Sequence, residues 1–132
     1  MTGSELIKKA AAAREFAYAP YSEFLVGAAL LCEDDSVFTG CNVENASYGA
    51  TLCAERTAAA KAVSFGYTAF TAVAVVGGPR QQGIVGACPP CGICRQFLSE
   101  FCREDVPVYL GVSESDYEEY RFGELLPMAF SL

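Results

Sequence analysis

The sequence predicts an α/β fold, a three-layer α/β/α sandwich built on a mixed five-stranded sheet. Three observations predict it. Five short apolar or β-branched runs are separated by turn residues. Longer stretches of helical spacing or helix-favouring composition lie between them, and one sits between two strands in the strand–helix–strand order of a parallel crossover.

Taken in order, Ser4 is a candidate N-cap for a helix running to about Ala17. Leu6, Ile7, Ala10, Ala13 and Phe16 stand near helical spacing, and Pro20 ends the segment. Phe24 to Leu31 reads as a largely buried strand. Glu33-Asp34-Asp35-Ser36 supplies a polar turn, and Val37 to Val43 returns as the second arm of a hairpin. After a loop through Glu44–Gly49, the Ala-rich stretch from Thr51 to about Ser64 has strong helix propensity, and Gly66 stops it. Thr71–Val76 is the clearest core strand. Gly77 to Pro90 is rich in Gly and Pro and reads as a loop. Cys91 to about Cys102 reads as a helix and Val106 to Val112 as a strand parallel to Thr71–Val76, through a right-handed crossover. Tyr117–Arg121 forms a short last strand, followed by a helical turn at Gly123–Leu126. No repeat or linker interrupts residues 1–132, which are expected to form a single catalytic domain.

Composition narrows the function classes. Apolar residues make up 52% of the chain and charged ones 19%, a globular balance far from that of disordered segments. No apolar run approaches the ~18–20 residues that span a bilayer. The opening Met1–Lys9 does not read as a secretory signal, so a cytoplasmic location is expected. The net charge is −7, with no Lys/Arg cluster. That field disfavours nucleic acid and anionic membranes as partners, because affinity for phosphate polyanions rests on basic side chains.

Seven cysteines and no histidine define the chemistry available. An odd cysteine count with uneven spacing argues against a complete disulfide framework. A transition metal here must be held by Cys, Asp or Glu, and any general acid or base is not imidazole. Cys91 and Cys94 stand three positions apart at a turn entering a helix, a spacing that chelates one metal. Cys53, at the start of another helix, is the candidate third ligand. Zinc accepts thiolates at ~2.3 Å, and a catalytic site keeps three protein ligands and one open position. Helix N-termini favour the anionic thiolates.

Glu55 follows Cys53 by two residues. On a regular helix that separation turns the side chains ~200° apart. Both still serve one centre if it lies off the helix end, where an unligated carboxylate moves protons between water and substrate. Arg56 offsets the charge of three thiolates by donating to their sulfurs. Two other readings of the cysteines remain open. Cys91-Gly-Ile-Cys94 has the form of a redox pair, and Cys32, Cys41, Cys88 or Cys102 could complete a structural four-sulfur zinc site whose role is protein contact.

The motifs, taken together, carry a resemblance. Cys53-Ala54-Glu55 and Pro90-Cys91-Gly92-Ile93-Cys94 match the three-cysteine form of the zinc deaminase signature, in which the glutamate is not a ligand. With Ala19-Pro20-Tyr21-Ser22-Glu23-Phe24, Gly40 to Tyr48, Cys53 to Ala58, Pro90 to Gln96 and Leu125-Leu126-Pro127, nearly the whole chain resembles the small homotetrameric cytidine deaminases. The resemblance implies a cytidine deaminase-like fold and a catalytic zinc ion, Zn2+, on Cys53, Cys91 and Cys94. It implies that Glu55 is the proton shuttle and that Asn42 and Glu44 bind the ribose hydroxyls. The Ala54 backbone and Glu55 would read the pyrimidine edge, and Phe24 would pack on the nucleoside. Phe130 would stack on the base from a neighbouring subunit, and Tyr48 would lie at the subunit interface near the site. The implied reaction converts cytidine or deoxycytidine to the uridine product and ammonia, in pyrimidine salvage. Blasticidin-type deaminases share the three-cysteine pattern, but Asn42 and Glu44 favour a ribose-bearing substrate. Cys88 and Pro89 depart from the family's usual lead-in, and Cys32 and Cys102 match no family role.

Overall fold

The protein is described by a computed structural model that covers residues 1–132. Helix α1 spans Gly3–Arg14, and its N-cap is Thr2 rather than Ser4. The Thr2 hydroxyl accepts from the Glu5 amide at 3.1 Å while the Glu5 carboxylate accepts from the Thr2 amide at 2.9 Å, a reciprocal capping box that Ser4, with Ile7 three residues on, cannot make. The helix also stops three residues short of the expected Ala17, so Phe16 leaves the apolar stripe and is 82% exposed.

Strands β1 (Phe24–Cys32) and β2 (Val37–Cys41) form the expected hairpin. Strand β2 ends two residues earlier than expected, because the Asn42 carbonyl turns to the Tyr18 amide and Val43 pairs with Leu52. The Asn42 amide still donates to the Val26 carbonyl of β1 at 3.2 Å. Helix α2 spans Ala54–Ser64, β3 Phe70–Pro79, α3 Gly92–Ser99, β4 Pro107–Gly111, β5 Tyr117–Arg121 and the short α4 Phe122–Leu125. Helix α2 therefore begins three residues after Thr51, and α3 is shorter at both ends than expected. Gly66, with φ of 93°, supplies the left-handed turn after α2 that a Cβ would strain.

The sheet order is β2-β1-β3-β4-β5, with β3 and β4 parallel and every other pair antiparallel. Alternation along the strands sorts the core into two layers. Ala28, Leu30, Cys32, Val73 and Val75 face α2 and α3, against Ala54, Ala58, Ala59, Ala62 and Leu98. Ala29, Ala72, Ala74 and Val76 face α1, against Leu6, Ile7 and Ala10. The three layers and the mixed sheet agree with the sequence reading.

One strand is longer than its composition suggests. Gly77, Gly78 and Pro79 extend β3 and pair with Val26, Leu25 and Phe24 of β1, where the sequence reads as loop. Arg14, buried at the end of α1, fastens this corner. Its Nη2 donates to the carbonyls of Gly78 at 2.8 Å and Pro79 at 3.1 Å, and its Nε to that of Leu25 at 3.1 Å. No helix is long and apolar enough to cross a membrane.

Candidate active site

Two helix starts carry the candidate metal ligands. Cys53 is the N-cap of α2 and Cys91 the N-cap of α3, and Cys94 lies in the first turn of α3. Cys53 precedes Cys91 by 38 residues, yet their sulfurs are 3.8 Å apart. All three sulfurs lie within 4.8 Å of one another. The N-terminal dipoles of both helices favour negative charge there. Accordingly, Cys53 is drawn down to about 5 by hydrogen bonding from the Cys94 thiol and the Arg56 guanidinium. Cys94, as the donor and itself buried, is held well above the usual thiol range.

Arg56 bridges the sulfur corner to the loop before α2. Its Nη2 donates to Cys53 Sγ at 3.5 Å and to the Thr51 carbonyl at 3.2 Å. Its Nε is buried without a partner, so a cation is held against the sulfurs with donor capacity to spare. This donor set fits zinc. Three converging soft thiols, one already favoured as thiolate, would hold the ion, and the unused Arg56 donor suits the added negative charge of a fully deprotonated trio. Cys32, Cys41, Cys88 and Cys102 lie outside the cluster, as a three-ligand rather than a four-sulfur centre requires. Cys32 and Cys102 are buried in the core layer under α2 and α3.

Glu55, in the first turn of α2, is 4% exposed. Burial pushes its carboxyl from 4.5 up to about 7, and the nearby Cys53 charge adds to the rise. A carboxyl poised near neutral pH both accepts and returns a proton. Ala54, the first residue of α2, is fully buried beside it.

The Asn42–Asn45 stretch runs beside the chain leading into Cys53, since Val43 and Leu52 exchange both backbone hydrogen bonds at 2.9 Å. Asn42 and Glu44 are both buried. The Asn42 Oδ1 accepts from the Val26 amide and its Nδ2 donates to the Phe24 carbonyl, both at 2.9 Å. The Glu44 carboxylate accepts from the Tyr21 amide at 2.9 Å, the Ser22 amide at 3.1 Å and the Ser22 hydroxyl. Those bonds, the hydroxyl's foremost, hold it below the usual carboxylate range. Each side chain thus spends part of its capacity on the Tyr21–Val26 segment. One Asn42 Nδ2 hydrogen and further lone pairs on Glu44 remain.

Phe24 opens β1 and is partly exposed. The Phe24 ring and the Cys88 sulfur both crowd the bare face of Gly77, where a Cβ would come within 3.0 and 2.8 Å of them. Burial pushes the Cys88 thiol up to about 11, and the charges of Glu55 and Cys53 add to it, so Cys88 links the Phe24 wall to the sulfur–carboxylate corner. Tyr48, on a 3-10 turn at Tyr48–Ala50, is exposed and meets Tyr21 edge-on at 6.0 Å between ring centroids. Phe130 lies exposed in the tail after α4, and its carbonyl accepts from Gln96 Nε2 at 3.0 Å.

Several contributors are not singled out by sequence reasoning. Arg95 ties the cysteine loop to the end of α4, with Nε on the Pro90 carbonyl at 2.8 Å and Nη1 on that of Leu125 at 2.6 Å. Arg14 and Ser22 stand in legible segments but give no signal of their own, because their partners are remote in sequence.

Comparisons with known proteins bear on the family and the fold. The model of the cytidine and deoxycytidylate deaminase zinc-binding region matches residues 2–110. A cytidine deaminase of Sporosarcina psychrophila is 50% identical over 131 residues, 99% of this chain and 93% of that protein. The crystal structure of a cytidine deaminase from Burkholderia pseudomallei superposes with a TM-score of 0.88 at 50% identity, covering 98% of this chain and 100% of that one. That of the Mycobacterium tuberculosis enzyme gives 0.84 at 40% identity, covering 100% and 99%. The chain belongs to the zinc-binding cytidine and deoxycytidylate deaminase family.

Proposed function

We propose that this protein hydrolyses the exocyclic amine of cytidine, and of deoxycytidine, to give the uridine product and ammonia. The observation that carries the reading is the trio of sulfurs within 4.8 Å of one another beside a buried, unligated Glu55. In this reading Cys53, Cys91 and Cys94 hold zinc. The metal, when bound, would supply a Lewis acid that lowers the ionisation of water toward neutral pH.

The remaining roles fall to the chain itself. Glu55 takes a proton from the attacking water and passes it to N3 of the cytosine ring. The water oxygen bonds to C4, Glu55 takes the remaining proton from that hydroxyl, and it delivers this proton to the departing amine as the C4–N bond breaks, so water is consumed and ammonia released. The Ala54 backbone and Glu55 hold the pyrimidine edge. Asn42 and Glu44, two residues apart and on one side of their extended segment, take the sugar hydroxyls with the hydrogen-bonding capacity they have left. Phe24 packs on the nucleoside, and Arg56 moderates the charge on the thiolates.

The whole chain, 1–132, acts as a single catalytic domain in the cytoplasm. Four copies assemble with Tyr48 at an interface near the site and Phe130 reaching a neighbour's base. Supporting the assembly, Tyr18, Val43 and Leu52, on bridged backbone, and the contacting pair Tyr21 and Tyr48 are all exposed large hydrophobic residues, and neighbouring exposed apolar groups of this kind mark interaction surfaces. Light scattering of the purified protein tests that stoichiometry.

The activity itself is tested by incubating the zinc-loaded protein with cytidine, deoxycytidine, cytosine, adenosine and blasticidin while following ammonia. Release from the first two is expected. Silence on all five overturns the proposal.

A further inference from the structure

The geometry points to Ser22 as a positioning residue that makes the enzyme selective for the sugar's hydroxyl groups by fixing the Glu44 carboxylate. This inference rests on the reading of Glu44 as a sugar ligand and names the group that aims it. Ser22 itself is exposed, but the carboxylate it holds is buried. The Ser22 hydroxyl donates to Glu44 Oε2, and the Ser22 and Tyr21 amides donate to Oε1, so both oxygens are located from one turn.

The same hydroxyl accepts from the Phe24 amide at 3.1 Å. The Phe24 carbonyl in turn accepts from Asn42 Nδ2 at 2.9 Å. One Oγ atom therefore joins Glu44 to Phe24 directly and to Asn42 through the Phe24 backbone, the three residues assigned to holding the nucleoside outside its reacting edge. The turn that presents it is unusual. Glu23, between Ser22 and Phe24, has φ of 56°, in the left-handed region that non-glycine residues seldom occupy. Its amide donates to the Ala19 carbonyl at 3.0 Å and its carbonyl accepts from the Arg80 amide at 2.8 Å, which pins the turn from both sides. Such a conformation persists where surrounding bonds over-determine it, and here it delivers a hydroxyl to a buried carboxylate.

A carboxylate held by three donors loses little freedom when a sugar hydroxyl binds, so the cost of ordering it is met before substrate arrives. Ser22 does not touch the reacting atoms, so its removal should act on binding. The test measures kcat and KM of Ser22→Ala, Ser22→Thr and Glu44→Gln on cytidine, deoxycytidine and 2′,3′-dideoxycytidine, with zinc content and circular dichroism recorded for each. Ser22→Ala is expected to raise KM for cytidine by roughly 10-fold, the order expected for a lost hydrogen bond to a charged group, and to leave kcat nearly unchanged. The penalty should shrink on deoxycytidine and vanish on the dideoxynucleoside. Ser22→Thr should restore KM, and Ser22→Ala in the Glu44→Gln background should add little.

An equal loss on all three nucleosides, a fall in kcat alone, or no recovery in Ser22→Thr would overturn the role of Ser22. A wild-type protein that deaminates none of the three instead overturns the activity, and this inference with it. If Glu44→Gln alone leaves the preference among the three sugars intact, the sugar assignment of Glu44 is wrong while the activity stands.

Discussion

Replacing Glu55 by Gln should destroy activity and stabilise the protein at the same time. The carboxyl is buried, and its value rises from 4.5 to about 7, chiefly through that burial. A raised carboxyl value means that the folded chain holds its proton more tightly than the unfolded chain does. The contribution to stability is therefore fully present below pH 4.5 and is lost as pH rises through about 7. Each tenfold change in proton affinity is worth about 1.4 kcal/mol, so the wild-type protein gives up roughly 3 kcal/mol at pH 8 relative to pH 4 from this group.

Glutamine has the same shape and no charge to desolvate. Its buried amide forfeits about 1 kcal/mol where it lacks partners, which leaves a net gain of roughly 2 kcal/mol for the variant at pH 8. Urea denaturation of both proteins under reducing conditions, at pH 4.5 and pH 8 with metal removed, reads the difference. The variant should exceed the wild type at pH 8, and the gap should close at the lower pH. Turnover of the zinc-loaded variant should fall by ~10²–10⁴, the usual contribution of a positioned acid–base group, with zinc retained. A variant no more stable than the wild type at pH 8, or a gap that ignores pH, would refute the argument that burial sets this carboxyl's affinity.

Three further outcomes follow from the same geometry. Cys91→Ser should lose most bound zinc and activity together, measured by elemental analysis and ammonia release, because a hard hydroxyl replaces one of three soft ligands. Arg56→Ala should keep the fold but lower metal affinity or turnover by roughly 10-fold, since the Cys53 sulfur loses its cationic partner. Unchanged zinc affinity and turnover would remove Arg56 from the site. Gly27→Ala should destabilise the protein by about 3 kcal/mol in urea titration. The added Cβ would stand 2.0 Å from the Ala10 carbonyl oxygen and 2.6 Å from the Arg14 amide of α1.

The sequence alone determined the succession of elements and the chemistry available to them. Strand alternation and helix composition act over a few residues, so β1, β2, β4, β5 and the Ala-rich α2 are legible to within a few positions. The absence of histidine and the Cys91–Cys94 spacing confine any metal centre to sulfur and carboxylate, and Cys53 stands out as third ligand by its place at a helix start just before Glu55. Tertiary structure decided what local pattern cannot carry. It brought Cys53 to the other two sulfurs, because the starts of α2 and α3 meet only once both helices cover the same sheet face. It extended β3 through Gly77-Gly78-Pro79, residues with little strand preference of their own, because β1 offers partners and Arg14 binds the Gly78 and Pro79 carbonyls. It gave Ser22 a task by setting a buried carboxylate from 22 residues away against its hydroxyl. Local preference arises from neighbours a turn or a pleat apart, whereas a site is made by groups that only the folded path of the chain brings into contact.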